Sequence, residues 1–101
     1  MWNWLLRIIK KDKYRAPKII AIEILLAHLE VSQKSDCKSL IYEVEVLLKE
    51  FESAVTIDVS DALKLYNEPS ELIDIAKSND WLQECLSVKA QLEFYQAWKL
   101  Y

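Results

Sequence analysis

One histidine, His28, and two cysteines, Cys37 and Cys85, carry the chemistry of a general base, a nucleophile or a soft metal ligand in this sequence of 101 residues. A zinc or iron site draws three or four ligands from close helical or hairpin spacing. Here the cysteines lie far apart and no Glu-x-x-His pair accompanies the histidine, so neither a metal nor another cofactor is expected. His28 stands inside the most apolar stretch, residues 19–29, and reads as a hydrogen-bonded core or boundary residue rather than a base. The chain has no glycine, where about seven would be average for its length. Without glycine the phosphate-cradling loop, the dinucleotide fingerprint and the serine nucleophile elbow cannot be built. No catalytic residue is assigned, and the expectation is a protein that is not an enzyme.

The carboxylates are more numerous and better organised. Leu40, Ile41, Val44, Leu47, Leu48 and Phe51 recur at helical spacing, flanked by Glu43 and Glu50 on one side and by Glu45 and Glu52 on the other. Lys49 is spaced to pair with Glu45 four residues before it and Glu52 three after it. Such a helix is solvated on its acidic flanks, and those flanks also form a docking face for a basic protein. Binding surfaces need desolvated aromatic anchors as well as steering charges. Trp98, from the series Phe94, Trp98 and Tyr101, is the first choice, and Tyr42, beside the helical acids, is the second. The expected partner-binding set is therefore Tyr42, Glu43, Glu45, Glu50, Glu52 and Trp98.

Charge is unevenly distributed along the chain. Residues 1–18 hold six basic side chains against Asp12, a net charge of +5, and residues 19–101 hold 7 basic and 15 acidic side chains, a net charge of −8. The acidic body would attract a basic protein and repel phosphate, so nucleic acid is not an expected partner. In kind, a small acidic helical chain rich in Trp and Tyr resembles the inhibitors that bacteria make against toxins. That resemblance implies an immunity-type protein that covers the substrate surface of a basic toxin, with nucleases as the natural class of partner. The alternative is a membrane-surface protein anchored by residues 1–18, where Trp2 and Trp4 join an apolar arc to a cationic face. A third reading is a subunit of a helical assembly. Two cysteines are too few for a disulfide scaffold, and the first residues carry their basic group after the apolar run, the reverse of a signal peptide; a cytoplasmic protein is expected.

The elements that must position these residues are helices. The fold class predicted is all-α, one domain over residues 1–101, as a compact bundle of about five to six antiparallel helices. Helices are predicted over 2–11, over 17–31 as the central helix, after a Ser35 cap, from Asp58 and Asp61 to Tyr66, from Pro69 to Ser78, and from an Asp80–Gln83 capping pair toward the C-terminus. The last buries Trp81, Cys85, Val88, Leu92 and Tyr95, with Leu82, Leu86 and Ala90 widening the stripe. Residues 54–59 alternate like a strand but have no partner strand, and are read as a connector.

Overall fold

Five helices form among the described residues, α1 (Arg15–Glu30), α2 (Lys38–Ser53), α3 (Ser60–Lys64), α4 (Glu71–Ser78) and α5 (Leu82–Ala97), and no strand does. The chain is all-α, as its periodicity predicts. The computed structural model describes residues 13–97; the helix predicted over 2–11, with Trp98 and Tyr101, lies outside them. Residues 54–59 form a connector without strand structure.

The core follows the apolar stripes. Leu40, Val44, Leu47 and Phe51 of α2 are buried, with Ile41 and Leu48 partly buried beside them. Ala21, Ile22, Leu25 and Leu29 face them from α1, and Cys85, Val88 and Leu92 of α5 belong to the same core. α1, over the predicted central helix, packs against both α2 and α5, and α5 packs against α1, α3 and α4. The surface of α1 is not buried all round, since Ile20 is 54% exposed. On α5, Leu86 and Ala90 are exposed and do not widen the buried stripe, although Leu82 is half-buried.

Helix ends depart most from the prediction. The residue preceding α2 is Cys37, not Ser35, and its side chain makes no cap; Asp36 Oδ1 accepts from the Lys38 N–H at 3.2 Å instead. Ser35 Oγ accepts from Asn79 Nδ2 at 3.2 Å, tying the α1–α2 turn to the end of α4. Pro69 stays in the turn before α4, after a cis peptide bond, and Ser70 is the cap, its Oγ accepting from the Ile73 N–H at 3.1 Å. At α3 the residue preceding the helix is Val59, which makes no side-chain cap, and the predicted Asp58–Asp61 capping pair does not form; Asp58 Oδ1 accepts from the Ser60 N–H at 2.9 Å and from Ser60 Oγ at 2.6 Å.

Asp80 does not pair with Gln83 to open α5. It closes α4 instead, at φ 63°, the left-handed conformation that helix ends usually give to glycine. The Trp81 N–H donates to the Ala76 carbonyl at 2.9 Å and the Asp80 N–H to the Lys77 carbonyl at 3.5 Å, the paired bonds of a Schellman motif. A chain without glycine must put another residue there, and aspartate tolerates this region better than most. Asp80→Gly should therefore stabilise the protein by about 0.5–1 kcal/mol and raise its melting temperature by roughly 3–6 °C. A lowered melting temperature in a thermal melt monitored by circular dichroism would mean that the aspartate side chain contributes more than its backbone strain costs.

Candidate protein-docking groove

The groove is set by how α1 holds the connector. The last carbonyls of α2 have no partner within the helix, and Arg15 supplies one: its Nη2 donates to the Glu52 carbonyl at 2.6 Å and its Nε to the Ala54 carbonyl at 2.9 Å. One turn later on α1, buried Lys18 donates from Nζ to the Ile57 carbonyl at 2.8 Å. Ile57 and Val59 are buried too, so the connector is pinned by both backbone and side chains as it delivers α3 beside α2. Two of the six cations in the basic N-terminal region thus serve the fold. Charge counting along the sequence had treated them as part of a separate basic end.

Between α2 and α3 lies an open groove of about 310 Å³. Tyr42, Val46 and Leu47 line it from α2, and Leu65 lines it from just past α3. Tyr42 is 67% exposed and Val46 37%, whereas Leu47 continues into the core at 8%. Exposed Glu43 and Glu50 from α2 and exposed Asp61 from α3 also line the groove. Glu43 and Glu50 stand seven residues apart on one helix, which places them about 10 Å apart along its axis. Asp61 meets Lys64 at 3.1 Å, but both side chains are largely exposed and such a pair is weak. The combination is an apolar strip lined with three carboxylates.

The expected binding residues divide accordingly. Tyr42, Glu43 and Glu50 come together in the groove. Glu45 and Glu52 are exposed on α2 outside it, and Lys49 forms no ion pair with either among the described residues. Trp98 lies outside the described residues. Its predecessor in the series, Phe94, is 49% exposed and packs edge-on against Tyr14 at 5.7 Å, next to Tyr95. Sequence reasoning missed Val46, Asp61 and Leu65. Val46 had a local signal, four residues after Tyr42 on the same edge of the helix; the contribution of α3 had none, because it depends on where the connector leads.

Other side chains with chemical potential are occupied or unactivated. His28 Nδ1 donates to the Ile24 carbonyl at 2.9 Å, and its ring lies 4.9 Å from that of Trp81, a boundary histidine as expected. His28, Glu84 and Ser87 line a second groove, yet among the described residues no hydrogen bond links them. Trp81 Nε1 donates to Ser32 Oγ at 2.8 Å, which donates onward to the His28 carbonyl at 2.7 Å, joining α5 to the end of α1. Both cysteines are free thiols, and burial pushes each above the ordinary thiol range. Asp36 and Glu71 add to the rise at Cys37. A reactive thiol needs the opposite shift. Among the described residues no group of three or more potential ligands could hold a metal ion, and no helix is long and apolar enough to cross a membrane. Comparison of the chain with protein-family models, with curated proteins and with solved structures finds no match.

Proposed function

We propose that this protein is a binding module that docks the α2–α3 groove onto a basic protein and, by covering that protein's functional surface, inhibits it in the manner of an immunity protein. The observation that supports this reading most is the exposed Tyr42–Val46 strip lined by Glu43, Glu50 and Asp61. An exposed tyrosine over apolar neighbours is the composition of a binding hot spot, and carboxylates around it steer a cationic partner. A toxin that acts on nucleic acid is a fitting target, because the surface it presents to phosphate is basic.

Affinity capture from a lysate followed by surface plasmon resonance on the purified partner tests the proposal. Replacing Glu43 and Glu50 together with lysine should lower the association rate by about tenfold or more at low salt and flatten its salt dependence, with the melt unchanged. Tyr42→Ala should act on dissociation, speeding it about tenfold or more. Unaltered rates for all of these variants would refute the proposal.

A further inference from the structure

The shape and walls of the groove narrow the chemistry of what it accepts. Both walls are helices or helix ends, so their backbone groups are largely bonded within their own segments and offer no edge to which an extended strand could add. An extended peptide lying on Val46 and Leu47 would bury backbone N–H and C=O groups against apolar side chains without partners. A helix satisfies its own backbone and presents only side chains, so it avoids that cost. Spacing points the same way. The apolar strip lies between two carboxylates seven residues apart on α2, and a helix laid along it offers side chains at i−4, i and i+3 over the same length.

Resting on the reading of the groove as the partner surface, we infer that it takes a basic amphipathic helix of the partner. One bulky apolar side chain sits over Tyr42, Val46 and Leu47, and lysine or arginine residues one turn to either side meet Glu43 and Glu50. Asp61, on the opposite wall, supplies a third attraction to the same cationic face.

The probe is a synthetic helical peptide of alanine and glutamine with a central tryptophan and lysines four residues before and three after it, titrated into the full chain and followed by peptide fluorescence polarisation. Two companion peptides keep the tryptophan: one exchanges the lysines for glutamate, and one breaks the helix with proline. The helical lysine peptide should bind at least about tenfold more tightly than either, and Glu43→Lys with Glu50→Lys should remove most of that advantage. Equal binding of the helical and proline-broken peptides would overturn the helix inference. In a parallel titration with a basic folded protein, cytochrome c, sensitivity to the two lysine substitutions alongside such equal peptide binding would leave the docking reading standing. Insensitivity in both titrations would remove both.

Discussion

Val44→Asp should leave the protein without a cooperative unfolding transition at 25 °C, whereas Val46→Asp, two residues along the same helix, should melt much as the wild type does. Val44 is completely buried in the core, so a carboxylate there loses its hydration. A penalty of more than about 5 kcal/mol takes up most of the stability that a domain of this size holds. Val46 points into the open groove at 37% exposure and can keep a carboxylate hydrated. Circular dichroism melts of the two variants check the assignment of α2's faces directly. Similar behaviour of the pair, in either direction, would mean that the buried and groove faces have been confused.

Lys18→Ala should lower stability by about 3 kcal/mol, a fall of roughly 15 °C in the melting temperature. The lysine is 1% exposed, its stem packs in the core, and its ammonium group holds the Ile57 carbonyl at 2.8 Å. Truncation leaves a cavity and deprives a buried carbonyl of a charged donor, two losses that act together. Lys13→Ala, at an exposed position five residues earlier and before α1 begins, should change stability by less than about 0.5 kcal/mol. Denaturant titration of both variants measures the difference. A loss at Lys18 no larger than that at Lys13 would show that the connector does not depend on this clamp.

The clamp also shows where sequence reading stops. The stripe from Leu40 to Phe51 sits in the core because helical periodicity alone dictates which side chains share a face. His28 was likewise legible from its apolar surroundings. Lys18 and Arg15 were not: along the chain they add to a basic run, and only their contacts with the carbonyls of Glu52, Ala54 and Ile57 reveal them as structural. Asp80 was misread for a related reason. An acid three residues before Gln83 has the spacing of a helix start, but the stop of α4 competes for the same residue, and the left-handed turn takes it. For the groove, the sequence of one helix foretold Tyr42, Glu43 and Glu50. The other wall, Asp61 and Leu65, arises from tertiary contact and has no local pattern.

Heteronuclear NMR of the labelled protein titrated with the captured partner tests most directly whether the α2–α3 groove is the surface that a basic partner covers. The largest amide shifts should fall on Tyr42, Glu43, Val46, Leu47, Glu50, Asp61 and Leu65, and should shrink as salt is raised. Shifts confined to the groove of Tyr14, Phe94 and Tyr95, or to that of His28 and Gln91, with the α2–α3 amides unmoved, would contradict it.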